Sequence, residues 1–366
     1  MDSERITVKG IARLAGVSIG TVDRVLHDRG GVSPETKEKI EGIITDLGFT
    51  PNILARQLSL NKTYTFRVVL PRADQDSGYW ALCLSGIRRA ERDLEAYRVR
   101  LRIDDYDRYD EAARRKILGD VATDPCDGLL VAPVMPEELK PVLARLGDAK
   151  RPDGPVPYAF FDGDFEGSSP VAVVAQDPFR GGYLAGRVMS LLAPGEKSLV
   201  ALSAHAGDIH IAQRIEGFRS FFSDAGRATQ VEASPRQVVA VECLGLEDAS
   251  SRDAFLSALF REPSEIAGIL VANSSGHLVG DWLSGRGEKA RCAVVSWDTV
   301  PANVRALAEG SIDCVISQRP AEQAREALER LFRAVVRGGA GVRGPSADIP
   351  LEVYFKENIP YKEASR

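Results

Sequence analysis

The hydrophobic rhythm of the chain changes once, near residue 62, and the two rhythms predict two kinds of structure. Before that point apolar positions recur at three- and four-residue spacing: Val8, Ile11, Ala12 and Leu14, then Val22, Val25 and Leu26, then Ile40, Ile43, Ile44 and Leu47. Each set shares one face of an amphipathic helix. Ala15-Gly16-Val17 predicts a tight turn in which Gly16 takes a positive φ without steric penalty, and Ser18 caps the helix that follows. Ser33, Pro34 and Glu35 supply the cap, first-position proline and first-turn acid of the third helix, which Gly48 ends. Ile53 to Leu58 is a fourth candidate helix, too brief to hold alone in water. So short a segment cannot enclose a large core, so its apolar positions serve a three-helix unit. Its first two helices read as a helix-turn-helix, whose second helix has the width of a DNA major groove.

From Thr65 onward short β-rich runs alternate with amphipathic stretches. The runs are residues 66–70, 99–103, 127–133, 157–162, 171–177, 198–204, 237–245, 266–273, 291–298 and 313–318. Helical patterns cover 84–97, 179–192, 209–222 and 321–336. This alternation predicts parallel sheets covered on both faces, and about ten strands are more than one such unit usually holds. Two α/β subdomains follow. Ligands in such folds bind beyond the carboxyl ends of strands. Asp162, Asn273, Asp298 and Gln318 each end a predicted strand. Any one of them reads as an ordinary cap or turn former, but four at equivalent ends mark a candidate site. Tyr79 and Trp80 follow the first strand, and Arg214 lies on the helix after the strand ending at Ala204.

The first segment resembles the lactose-repressor (LacI/GalR) family of bacterial transcription regulators. AGVSIGTVDRVLH, VSPETKEKI and GFTPNILARQL occur in that family's order and spacing. The resemblance implies that Ile19, Gly20 and Arg24 meet base edges, with Ser18 and Thr21 beside them at the DNA backbone. Arg24 alone of the three can donate a bidentate bond, which favours guanine. His27, after that helix, is placed to touch phosphate or to sit in solvent. Residues 52–60 resemble the family's hinge helix, which orders on operator DNA. Ala55 then approaches the minor groove and Leu58 wedges between base pairs, with Asn52 and Arg56 among the DNA contacts. The chain departs from the family at Asp23, where many members carry serine, and at Gly20, which removes a reading side chain.

The remainder resembles the periplasmic sugar-binding fold, in its ribose-binding-like branch, which forms the effector core of the same family. This implies that Tyr79, Trp80 and Trp297 stack on a ligand while Asp162, Arg214, Asn273, Asp298 and Gln318 bond its hydroxyls. Sugars suit such a set, since they offer apolar C–H faces to aromatics and hydroxyls that donate and accept. Arg214 would equally hold an anionic group, leaving a sugar acid or phosphate open. The expected organisation is residues 1–62 as the helix-turn-helix domain, 64–175 with 319–347 as the N-terminal effector subdomain, and 176–318 with 348–362 as the C-terminal one.

Composition narrows the function classes. The chain has 366 residues, 44% hydrophobic and 27% charged, and a net charge of −5, which implies no affinity for membranes or bulk polyanions. Residues 1–62 carry nine basic against eight acidic side chains, little for a nucleic-acid binder, so DNA affinity must lean on dimerisation and the hinge. The charged start and the lack of a membrane-length apolar run predict a cytoplasmic protein. Five widely spaced cysteines without a C-x-x-C read as reduced core residues, and His27, His205, His210 and His277 lack metal-ligand spacing. No metal or cofactor is expected. Ser203, His205 and Asp208 hold the residue types of a hydrolytic triad but crowd one loop without a nucleophile elbow. Asp177-Pro178 is explained as a helix start. A transport solute-binding protein would leave the helix-turn-helix unused, and an α/β enzyme would need a catalytic constellation that these residues do not supply. The expectation is a homodimeric, ligand-responsive repressor of carbohydrate uptake or catabolism genes that binds a near-palindromic operator.

Overall fold

A computed structural model describes residues 7–26, 30–47, 62–148, 154–205, 207–224, 236–261, 266–337 and 347–359. His27 and the expected hinge with Asn52, Ala55, Arg56 and Leu58 lie outside the described residues.

Among the described residues three helices form the N-terminal unit: α1 (Val8–Ala15), α2 (Ile19–Leu26) and α3 (Pro34–Asp46). Their ends follow from local chemistry. Thr7 accepts a hydrogen bond from the Gly10 amide, and Gly16 closes α1 at φ 72°, a left-handed conformation that a side chain would strain. The Ser18 hydroxyl accepts from the Thr21 amide at 3.1 Å, and Ser33 from Thr36 at 3.3 Å. The three helices bury Ile11, Ala12, Ala15, Val22, Val25 and Ile40 against one another.

The rest of the chain builds two sheets of the same winding. The first contains β1 (Tyr64–Pro71), β2 (Val99–Tyr106), β3 (Gly128–Val131), β4 (Tyr158–Phe161), β5 (Ala172–Ala175) and the short β11 (Ala347–Asp348). The second contains β6 (Ser198–Ser203), β7 (Val238–Glu242), β8 (Ile266–Val271), β9 (Ala293–Trp297), β10 (Cys314–Ser317) and β12 (Glu352–Tyr354). Spatial order is β11-β5-β4-β3-β1-β2 in one and β12-β10-β9-β8-β6-β7 in the other, parallel throughout except for β12 against β10. All ten expected strands are present. β11 and β12 lack an apolar run long enough to have been predicted.

The first sheet carries α4 (Tyr79–Leu94), α5 (Glu111–Thr123) and α6 (Pro136–Leu146); the second carries α7 (Pro178–Leu192), α8 (Ile209–Asp224), α9 (Ala249–Leu259), α10 (Gly276–Gly285) and α11 (Pro301–Glu309). The last helix, α12 (Pro320–Arg337), returns to the first sheet and packs on α4, β3, β4 and β5. The chain therefore passes between the sheets three times: from β5 to α7, from β10 to α12, and from β11 to β12. The third passage falls after Asp348, one residue beyond the expected 347, because Asp348 still pairs with Ala175.

Alternation along the strands sets the second core. Val200, Leu202, Val271 and Val294 face one cluster, while Leu199, Ala201, Leu270 and Val295 face another on the opposite side of the sheet. On that second face α7 and α8 approach at glycines from both sides. A Cβ at Gly182 would lie 1.8 Å from the Arg214 carbonyl oxygen, and one at Gly217 1.9 Å from that of Phe179. This close contact fixes the height at which α8 delivers Arg214.

Candidate functional site

In the N-terminal unit the α2 surface divides cleanly. Val22 and Val25 are buried, whereas Ser18, Ile19, Gly20 and Arg24 are exposed and Thr21 is half-exposed. Ile19 is a 52%-exposed aliphatic side chain at the start of a helix, which core packing does not explain. The hydroxyls of Ser18 and Thr21 lie 2.9 Å apart and mark the amino-terminal end of this surface.

The second site lies between the sheets. Both have the winding in which the chain turns opposite ways from the first strand, and loops at the carboxyl ends of β1, β3, β6 and β8 meet at that switch point. Beyond β1, Asp76 is a hub. Arg108 Nη1 donates to its Oδ2 at 2.6 Å, Trp80 Nε1 to the same oxygen at 2.7 Å, and Tyr109 Oη to Oδ1 at 2.6 Å. Arg108 reaches across with Nη2 to Asp208 at 2.9 Å, and Ser274 donates to the Asp76 carbonyl at 2.8 Å. Ser77 donates to Glu247 at 2.5 Å and lies 2.9 Å from Ser275. Asn273 Nδ2 stands 3.1 Å from His205 Nε2 and 3.0 Å from the Ser275 hydroxyl.

A second group gathers at the crossing strands. Tyr79 donates to Asp162 at 2.6 Å and accepts from Gln318 Nε2 at 2.9 Å. Gln318 also donates through its amide and side chain to the two oxygens of Asp298, both at 3.1 Å. Arg214 Nη1 donates to the Ala272 carbonyl at 2.6 Å, and its guanidinium lies 3.9 Å from the Trp297 ring centre. Tyr79, Asp162, Arg214, Asn273, Asp298 and Gln318 are thus brought into one site.

The two tryptophans take different parts from those expected. Trp80 is buried edge-on against Tyr79 and holds Asp76, and Trp297 gives a ring face to Arg214 rather than to open space. Trp297 ends β9 and Trp80 is the second residue of α4, but the neighbouring charged groups claim them first. Asp76, Arg108, Tyr109, His205, Asp208, Gln176 and Glu247 complete the site without having been predicted as part of it. No apolar pattern marks the end of the strand that leads to Arg108 and Tyr109. The half-exposed edge strand β2 carries charged residues to Tyr106, so its apolar pattern stops at Ile103, three residues short of the strand end. Ser203 donates to the His205 carbonyl rather than to its ring, which leaves no nucleophile–base pair there.

Electrostatics differ between the two groups. Burial would raise the pKa of Asp76, but Arg108 and the Tyr109 and Trp80 hydrogen bonds outweigh it and leave the carboxyl below its ordinary value. Asp208 behaves likewise, its burial outweighed by Arg108 and His210. Asp298 goes the other way: burial dominates the opposing Arg214 and Gln318 and pushes it up to about 7. Burial lowers His205, keeping the imidazole neutral.

Two further features mark this region. Of the six non-glycine residues with positive φ among those described, Asp76, Ser77, Asp162, Asp298 and Arg319 all lie in or beside it, and such conformations persist only where the surroundings over-determine them. Buried polar atoms without a partner include Gln176 Oε1, Arg214 Nε, Asn273 Oδ1 and Trp297 Nε1. A cavity of about 400 Å³ opens at the rim among Arg108, Tyr109, Met135, Glu138, His205 and Leu244.

Comparison with known proteins agrees with both halves. Residues 7–52 match the family model "Bacterial regulatory proteins, lacI family", and residues 67–339 match "Periplasmic binding protein domain". The chain is 28% identical over 225 residues to the HTH-type transcriptional repressor PurR of Vibrio parahaemolyticus, covering 60% of this chain and 61% of that protein. It is 25% identical over 223 residues to the HTH-type transcriptional regulator DegA of Bacillus subtilis, covering 61% and 62%. The matched stretch thus spans about three fifths of these relatives. A solved structure from Bacteroides fragilis assigned to the LacI transcriptional regulators superposes with a TM-score of 0.69 at 26% identity, covering 82% of this chain and 99% of that one.

Proposed function

Because the chain belongs to the lactose-repressor (LacI/GalR) family, with a lacI-type head and a periplasmic-binding-protein core, we propose that it is a ligand-responsive, sequence-specific DNA-binding regulator. Its role is repression of carbohydrate uptake or catabolism genes, with a sugar-like effector held between the two α/β subdomains. The observation that carries this reading is the pairing, in one chain, of an exposed α2 face with a buried polar site at the switch points of both sheets.

Two sites in one chain act on each other only through a structure both can bias. The subdomains, 64–175 with 319–348 and 176–318 with the segment from 349, are joined by three strand-end passages close to Gln176, Gln318 and Asp348, so a ligand that binds both alters the angle between them. In a homodimer that change moves the two 52–60 segments relative to each other and orders or releases them on DNA. Recognition helices one helical turn apart, roughly 34 Å, then read a near-palindromic duplex. Ser18, Ile19, Gly20, Thr21, Arg24, His27, Asn52, Ala55, Arg56 and Leu58 are the proposed DNA contacts. The protein acts in the cytoplasm.

Thermal unfolding of the full chain against pentoses, hexoses, polyols, sugar acids and sugar phosphates tests the effector half, since a ligand at a hundred times its Kd stabilises by about 2.7 kcal/mol. One clear, saturable shift supports the reading. A flat response across the panel contradicts it.

A further inference from the structure

Four carboxylates, Asp76, Asp162, Asp208 and Asp298, meet two guanidinium groups, Arg108 and Arg214, at the junction of the sheets. Glu247 adds a fifth carboxylate at the rim through Ser77 and Ser275. Among the described residues of this site acids outnumber cations even with Asp298 and Asp162, whose pKa values burial raises, left out of the charge: Asp76, Asp208 and Glu247 stand against Arg108 and Arg214. Both cations are already engaged. Arg108 gives one terminal nitrogen to Asp76 and the other to Asp208. Arg214 gives its two to the Ala272 carbonyl and to Gln318, with its face against Trp297. His205, lowered by burial, adds no positive charge at neutral pH.

The partnerless atoms ask for both donors and acceptors. Asn273 Oδ1 and Gln176 Oε1 are acceptors awaiting a donor, on side chains more than nine-tenths buried. Arg214 Nε and Trp297 Nε1 are donors awaiting an acceptor. A hydroxyl both donates and accepts, so it satisfies either kind and also donates to the surrounding carboxylates. A phosphate dianion or a carboxylate only accepts. Such a group cannot itself meet the two amide oxygens, a task left to the ligand's hydroxyls, and it sets its charge among like charges, a repulsive element that selects against it.

We infer that the interdomain site takes a polyhydroxylated ligand without an anionic group, and discriminates against sugar phosphates and sugar acids. This rests on the carbohydrate-effector reading above and decides a question that the chemistry of Arg214 alone leaves open. A protonated amine on the ligand is compatible with it, since the same carboxylates would accept from the ammonium.

The test is calorimetric titration of the full chain, at fixed ionic strength, with matched sets. One set is D-glucose, D-glucosamine, D-glucuronate and D-glucose 6-phosphate. The others are D-galactose with D-galacturonate and D-galactose 6-phosphate, and D-ribose with D-ribose 5-phosphate. The expected result is that a neutral or aminated member binds and its anionic counterparts bind at least tenfold more weakly. Asp208→Asn should narrow that gap at least threefold. Glu247→Gln, at the exposed rim, makes the same test should Asp208→Asn not fold. An anionic member that binds as tightly as its neutral parent, or a gap unchanged in the folded variants, overturns the inference while leaving the carbohydrate reading in place. Binding by no member of any set overturns the carbohydrate reading, and the inference falls with it.

Discussion

The head and the core present their functional side chains in opposite ways. On α2, Ile19 and Arg24 project from a helix whose other face is pinned by Val22 and Val25. Between the sheets, Asp76, Arg108, Asp208, Tyr79, Gln318 and Asp298 are turned into one another through buried hydrogen bonds. A surface reader can change its chemistry at almost no cost in stability, because its side chains leave water only on binding. A buried polar network cannot, since removing one member strands the others. Function and stability are therefore separable in the head and coupled in the core.

The largest expected effect comes from breaking that coupling. Arg108→Ala leaves Asp76 and Asp208 without their shared cation and should lower core stability by about 3–5 kcal/mol in denaturant unfolding. A loss under about 1 kcal/mol would place the pair in the same class as surface bridges. The head has its own core, and Ile40→Ala should cost about 2–5 kcal/mol there. DNA binding should disappear while ligand binding to the core persists, which a titration of each variant would show.

Asp298 gives the comparison a pH axis. Its pKa is raised in the folded chain to about 7, so the fold favours its protonated form. The associated stability is present below about pH 4 and is lost as the pH rises through 7, on the order of 2–4 kcal/mol in all. Thermal unfolding between pH 5 and pH 8 should show this decline, and Asp298→Asn should flatten it. An unchanged profile in the variant would assign the decline to other groups. Arg24→Ala sits at the other extreme. It should relax base discrimination by about 1–3 kcal/mol with an unchanged Tm. Equal loss on cognate and random duplexes would instead make Arg24 a phosphate contact. The smallest effect is Ser33→Ala, which removes the α3 cap and should cost about 1 kcal/mol.

Legibility in the sequence follows the same division. The head's helices, caps and turn were legible because each depends on neighbours in the chain: Gly16, Ser18 and Ser33 carry their reasons within four residues. The ten longer strands were legible from apolar runs, and Asp162, Asn273, Asp298 and Gln318 from their place at strand ends. Partners were not. That Arg214 covers Trp297, or that Arg108 reaches Asp208 a hundred positions along the chain, depends on distant loops brought together, and even the local Asp76–Trp80 pair, four residues apart, needs the positive-φ turn at Asp76 and Ser77. The edge strand β2 hid Arg108 for a different reason: a strand half in solvent needs few apolar residues, so its carboxyl end does not show in hydropathy.

The most direct test of the account is duplex selection with the full chain followed by anisotropy titration of the selected site and a scrambled control, each with and without the sugars that shift thermal unfolding. A near-palindromic site should be bound at least a thousandfold (~10³) more tightly than the control, with an affinity that changes roughly five-fold or more when the stabilising sugar is present. Equal affinity for both duplexes, or a selected site indifferent to every stabilising sugar, would contradict it.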